Sequence, residues 1–476
     1  MRRLASAPGL SPWLISMLVC LAQASRAGEN QPDEPAVEAV AAAWSGWLTA
    51  LEEYRFRATR VLDTSAGREL LGDERDHDLR LFLDGGLTSP SGAFGAGLAA
   101  ALWLDADGGQ PRGEATSLAG QFDHRRPWWD VYSAWAEYRS DGVLRLVRGG
   151  RQVSEQGEPL TFDGLSVLVR AAGPLLDLFA YGGRTVHFFE TQAGLFEDWL
   201  ASAGLVVRPL EGLRLELDYR FQLEDILTST LTDKSREIDH GYGLSLAYAR
   251  GDWLRARVHL RGLDDQVARA GLAVHLFQPD WLFGLRVRLD AQPSALARIA
   301  EAHDPFHALL GPSQPHLRWR LEATKDFETG AGRYGLQAGF TGRHLLAGEA
   351  GPFNRESGHV YLAASAHDPG LRGLYASLSL EEHFTFPGTG TGQDHHLAVG
   401  GLLGYRLPWL EAEAGSFYQR VKVDYFATPR EVLDVRTVYG SLGLRVFSWL
   451  QVRARYEYEW TDRDVHTLTL ALVQSL

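Results

Sequence analysis

Arginine at alternate positions is the strongest chemical signal in this chain. Arg255, Arg257 and Arg261 share one alternation, as do Arg286 with Arg288, Arg318 with Arg320, Arg453 with Arg455 and, more widely spaced, Arg214 with Arg220. A residue type that recurs with period two lies on one face of a β-strand. Ranked guanidiniums on such a face present planar forks that match carboxylates. Of the 47 basic residues only Lys234, Lys325 and Lys422 are lysines. Other chemistry does not assemble. No phosphate-cradling glycine loop or nucleophile elbow is present, and no Ser–His spacing stands out. His303 with His307 and the adjacent His395 and His396 make no convincing ligand set. The expectation is therefore no enzyme, no catalytic residue, no cofactor and no metal. The net charge of −13, with no Lys/Arg-rich run, argues against a nucleic-acid partner.

These arginines need strands to hold them, and the sequence supplies many. In Gly212–Glu224, Leu213, Leu215, Leu217, Tyr219, Phe221 and Leu223 share one face. Arg214, Glu216, Asp218, Arg220, Gln222 and Glu224 share the other. Asp252–Gly262, Trp281–Ala291, His316–Thr324 and Trp449–Trp460 repeat the pattern. Runs of about ten residues exceed the usual ~5–6 of soluble strands and suffice to cross a bilayer obliquely. Short turns, such as those around Gly142, Gly173, Gly251, Pro279, Pro408 and Ser448, alternate with longer polar stretches. The longer ones are 105–130, 153–161, 189–198, 225–239, 292–315, 346–357, 381–395 and 423–434. Trp253, Trp281, Trp409 and Trp449 flank short turns, as an interfacial aromatic girdle would. The pattern predicts an all-β fold: a transmembrane antiparallel β-barrel of about 22 strands (18–22) over residues 53–476, in the outer membrane of a Gram-negative bacterium.

The N-terminus reads differently. Arg2 and Arg3 precede an apolar run, Trp13–Ala22, and small residues follow at cleavage spacing. Residues 1–27 are expected to be a signal peptide. The sole cysteine, Cys20, lies inside it. Residues 28–52 then place Val37, Val40, Ala41, Trp44, Trp47, Leu48 and Leu51 at helical spacing, which predicts a short periplasmic helix.

Three stretches carry a family resemblance. Tyr54-Arg55-Phe56-Arg57 opens the chain's β region. Leu144–Gln152 (LRLVRGGRQ) ends a strand in Gly-Arg-Gln, and Thr161-Phe162-Asp163-Gly164-Leu165 follows. Together they resemble the alginate-export family of outer-membrane channels, mainly over residues 54–190. The resemblance implies passive export of an anionic exopolysaccharide, in concert with periplasmic export machinery. Gly149 and Gly150 would give room inside the pore, with Arg151 projecting into the lumen or pairing with Asp163.

A channel selects by its width and by the charge that lines it. In the five strongest strands the charged faces hold eleven arginines against seven acids, in an acidic chain. The expected pore-lining residues are Arg145, Arg151, Arg214, Arg220, Arg255, Arg257, Arg261, Arg286, Arg288, Arg318, Arg320, Arg453 and Arg455. Arg255–Arg261 and Arg286–Arg288, with Arg269 and His275 between them, form the densest positive band. The alternatives to export are a porin for small anionic solutes, a barrel sheathing a partner protein, and a barrel hydrolase. Candidates for narrowing the pore are the stretches 105–130 and 292–315.

Overall fold

A computed structural model describes residues 44–61, 73–105, 128–186, 198–227, 234–294, 314–347, 354–386, 394–423, 431–461 and 463–475. They form one 22-stranded antiparallel sheet. Each strand pairs with its neighbour in sequence. β1 (Ser45–Val61) pairs with β2 (Asp73–Thr88) on one side and with β22 (Arg463–Ser475) on the other, which closes the sheet into a barrel. Closure leaves no row of unpaired backbone groups, the condition for a sheet surrounded by lipid.

The barrel is inside out relative to a water-soluble protein. Leu213–Leu227 forms β9 and Lys234–Arg250 forms β10, in register Leu217↔Leu244 and Leu215↔Leu246. Leu217, Leu244 and Leu246 are exposed, and so are Leu260, Leu336, Leu362, Leu378 and Leu403 around the wall. The buried groups include Asp78, Asp177, Glu216, Asp218, Gln222 and Glu322. Alternation thus sorts apolar side chains outward and charged ones inward.

Short turns mark one end of the barrel. Trp253, Trp281 and Trp409 stand exposed there. The other end carries the longer connections. Three stretches depart from the expected loop bounds: β9 runs on to Leu227 and β10 starts at Lys234, β17 (Leu374–Thr385) runs past Glu381, and β20 (Glu431–Phe447) starts at Glu431. The segment around Gly339 is a full strand, β15 (Gly332–Leu345).

The predicted helix over 28–52 needs correction where it can be tested. Residues 1–43 lie outside the described residues, but Ser45 onward is strand. In that strand Trp47 lies opposite Gly86 and Leu51 opposite Phe82, on the inward face; Leu48 and Ala50 face outward. With both faces apolar near the strand start, alternation is hidden and a helical spacing appears by coincidence.

Candidate functional site

The inner wall from β11 (Leu254–Leu263) to β16 (Ser357–His367) carries most of the arginine ladder. Between them run β12 (Gln266–Gln278), β13 (Phe283–Gln292), β14 (His316–Thr329) and β15. Strand register stacks the side chains into three lateral rows. The first is His259, Gly271, Asp290, Arg318 and Arg343. The second is Arg257, Ala273, Arg288, Arg320, Thr341 and His359. The third is Arg255, His275, Arg286, Glu322, Gly339 and Tyr361. No single strand shows this patch; it is made by register.

Acids compensate the patch only in part. Glu322 is buried and accepts from Arg286 at 3.1 Å, Arg320 at 2.7 Å and the Tyr361 hydroxyl at 2.7 Å. Two guanidiniums on one carboxylate leave one positive charge over. Both stay open to the lumen, with 61% and 52% of their side chains exposed. Arg288 pairs with Asp290 along its own strand at 2.5 Å. Among the described residues Arg257 donates to the Ser245 hydroxyl alone, at 3.2 Å. Among the described residues, no carboxylate lies within ion-pair distance of Arg255, Arg257 or Arg318. Water screens such charges, yet it does not cancel a local surplus a few ångströms from a passing ion.

Other predicted lumen residues are held more firmly. Arg261 donates to both oxygens of Asp218 at 2.6 Å, and Arg214 meets Glu216 at 2.6 Å. Arg145 and Arg208 converge on buried Asp177 at 3.4 and 2.5 Å. Arg455 pairs with Glu457 at 2.9 Å, and Arg453 donates to Gln451 at 2.9 Å. Arg220 reaches Glu158 at 2.6 Å.

Glu158 belongs to a connection that folds into the barrel. Residues 154–160 link β5 (Leu144–Val153) to β6 (Thr161–Ala172). The Gly157 amide donates to Glu216 on β9 at 2.5 Å, and Glu155 accepts from Arg148 at 2.6 Å. Gly157 has φ of +72°, which suits glycine, and a Cβ there would stand 3.1 Å from the Tyr181 hydroxyl. Ser154 ties the loop to itself through the Glu158 carbonyl and the Leu160 amide. This strap lies along the inner wall across β6 to β9 and takes up lumen. Sequence reasoning missed it because its partners are about sixty residues away; the pointer was only the two acids in a short polar stretch. The narrowing candidates in 106–127 and 295–313, and His303 with His307, lie outside the described residues.

Arg151 is the one predicted pore residue on the wrong face. It lies opposite Ala134 and Asp163, in the alternation that carries Val147 and Leu165 outward. There it donates to both Asp163 oxygens, at 2.8 and 2.7 Å, on the outer wall. Gly150 beside it has φ of +117°, and a Cβ would sit 2.2 Å from the Ala134 carbonyl oxygen. The Gly-Gly-Arg run therefore serves a close approach of two backbones and an outer-wall ion pair, not room in the pore.

An apolar outer wall girdled by tryptophan, around an interior of ionised side chains, decides the setting. The chain is an outer-membrane β-barrel of the Gram-negative kind. It matches no protein-family model and no curated protein. Solved structures similar to it include OccAB2 from Acinetobacter baumannii, at 10% identity and a TM-score of 0.39 over 90% of this chain and 98% of that one. A BenF-like porin from Pseudomonas fluorescens Pf-5 gives 11% identity and 0.42, over 90% and 99%. OccK2 (OpdF) from Pseudomonas aeruginosa, in complex with glucuronate, gives 10% and 0.41, over 90% and 98%. The resemblance to the alginate-export family is thereby overturned: its family model does not match, and the similar structures are porins of the Occ type. The physical reason lies in the motif itself: Gly149 and Arg151 stand on the outward alternation, and Gly150 serves a close backbone approach to Ala134.

Proposed function

We propose that this barrel is a porin for small anionic solutes, carboxylates above all. The observation that carries the reading is the surplus of lumenal guanidinium on β11 to β14, with Arg255, Arg257 and Arg318 lacking a carboxylate partner among the described residues. Arg286, Arg288 and Arg320 extend this surface. An anion entering the lumen exchanges water for successive weak contacts along the three rows and leaves as easily as it enters, which conduction requires. The strap at 154–160 supports a small solute over a hydrated polymer, because it is bonded into the lumen rather than folded back from it. Polysaccharide export and its periplasmic machinery rested on the family resemblance and go with it. In this reading residues 1–27 are the export leader and passage is passive.

The test is solute flux into liposomes containing the purified barrel. Small mono- and dicarboxylates are expected to enter faster than neutral sugars of equal size. Equal rates for both, or faster entry of organic cations, would refute the proposal.

A further inference from the structure

The outer wall neutralises its charges at several places. Arg151 is bidentate to Asp163, and His395 on β18 (His395–Arg406) meets Glu382 on β17 (Leu374–Thr385) at 2.7 Å. The hairpin of β19 (Leu410–Val423) and β20 (Glu431–Phe447) carries a further charged cluster on the outer wall. Register puts Tyr418, Arg420, Asp434 and Arg436 on the outward alternation with Leu410, Leu442 and Leu444. Within the hairpin two guanidiniums share one acid; the next outward acid, Asp464, stands beyond Trp460 and accepts the Tyr458 hydroxyl at 2.9 Å. Arg420 stands 3.9 Å from Asp434, which already accepts the Tyr418 hydroxyl at 2.7 Å. Arg436 lies 5.8 Å from the centre of the Tyr418 ring and has no carboxylate partner among the described residues. Ser416, Phe417, Tyr418, Arg436 and Trp460 border a groove of about 380 Å³. Trp460 closes β21 (Leu450–Trp460), directly opposite Arg436.

Depth fixes what this groove meets. Trp409, exposed at the short-turn end, precedes β19, and Arg420 lies ten residues beyond Leu410. Ten residues at ~3.3 Å and a tilt of about 40° rise roughly 25 Å, the height of the apolar band. The guanidiniums are therefore level with the headgroups of the outer leaflet.

We propose that this groove binds the phosphate of an outer-leaflet lipid headgroup. Arg436 supplies the fork and Arg420 a second positive charge. Trp460 and Tyr418 pack against the headgroup and the first acyl methylenes. An amphipathic aromatic pair beside unspent guanidinium is complementary to a ligand that is anionic at one end and oily at the other. Both arginines point away from the barrel, so this site is separate from the lumen and does not depend on the transport reading.

Native mass spectrometry of the detergent-solubilised barrel tests it, with a phosphorylated glycolipid, its dephosphorylated form and inorganic phosphate as probes. The wild type is expected to retain one phosphorylated lipid at least about tenfold more tightly than R420Q/R436Q or than it retains the dephosphorylated form. R436K, which keeps the charge and loses the fork, falls between. Millimolar inorganic phosphate leaves the lipid in place. Equal retention by the wild type and the double variant, indifference to the lipid's phosphate, or displacement by free phosphate would overturn the proposal. A photo-reactive residue at Ser416 is expected to capture lipid in cells; capture of a protein, a second copy included, would overturn it too. Single-channel conductance of R420Q/R436Q, unchanged, shows that the barrel has folded.

Discussion

Replacing Arg257 by glutamate reverses one lumenal charge without stranding a buried acid. Among the described residues Arg257 holds the Ser245 hydroxyl alone, whereas Arg261, four residues on, neutralises the buried Asp218. The magnitude follows from Coulomb's law. A hydrated ion passing at ~7 Å interacts with a unit charge by about 0.6 kcal/mol in water, and a Debye length near 10 Å at 0.1 M salt halves that to about 0.3. Reversal from plus to minus costs an anion about 0.6 kcal/mol and favours a cation by the same amount. The anion-to-cation permeability ratio should thus fall by about 1.2 kcal/mol, roughly eightfold. Reversal potentials across a planar bilayer under a salt gradient read this directly. At 1 M salt the Debye length shrinks to about 3 Å and most of the difference should vanish. Arg151→Gln, on the outer wall, is the control and should leave the ratio unchanged. A ratio that ignores Arg257→Glu at low salt, or that moves with Arg151→Gln, would refute the assignment of these faces.

Three further outcomes follow from the geometry. Arg220→Ala removes the lumenal anchor of Glu158, so the strap at 154–160 loosens and single-channel conductance should rise or become noisy; an unchanged, quiet trace would show that the strap does not narrow the pore. Gly150→Val forces a branched side chain against the Ala134 carbonyl at a φ that only glycine adopts readily, which should cost about 1–3 kcal/mol in urea-refolding titrations into lipid; full stability would show that the close approach is not needed. Glu52 is exposed on the outer wall between Leu81 and Leu472, and Glu52→Leu should stabilise the barrel in bilayers by about 1–2 kcal/mol, short of the cost known for a midplane Arg or Lys; destabilisation would show that the carboxylate is satisfied there.

The barrel was legible because water and lipid act on alternate side chains, and that alternation survives in the sequence wherever one face is charged. Gly212–Glu224 could be assigned face by face from the residues alone. Arg151 could not, because Gly149, Gly150 and Gly164 around it carry no side chains to reveal the alternation. β1 began earlier than expected because Trp47 and Leu51 on one face and Leu48 on the other are all apolar. Register was beyond reach. That Arg257, Arg288 and Arg320 form one row, or that Glu322 sits under both Arg286 and Arg320, depends on how separate strands align. The strap at 154–160 was missed for a related reason, since Gly157 and Glu216 meet only through closure of the sheet.

Which side of the wall faces water is read directly by a pair of adjacent cysteines. In a chain with Cys20 changed to serine, Arg288→Cys is expected to react rapidly with a charged, water-soluble thiol reagent and to reduce current on labelling. Leu289→Cys, one residue on and facing lipid, is expected to react only with a membrane-soluble reagent and to leave current untouched. Labelling of position 289 by the charged reagent while position 288 stays inert would reverse the inner and outer faces of the wall and remove the charged lumen.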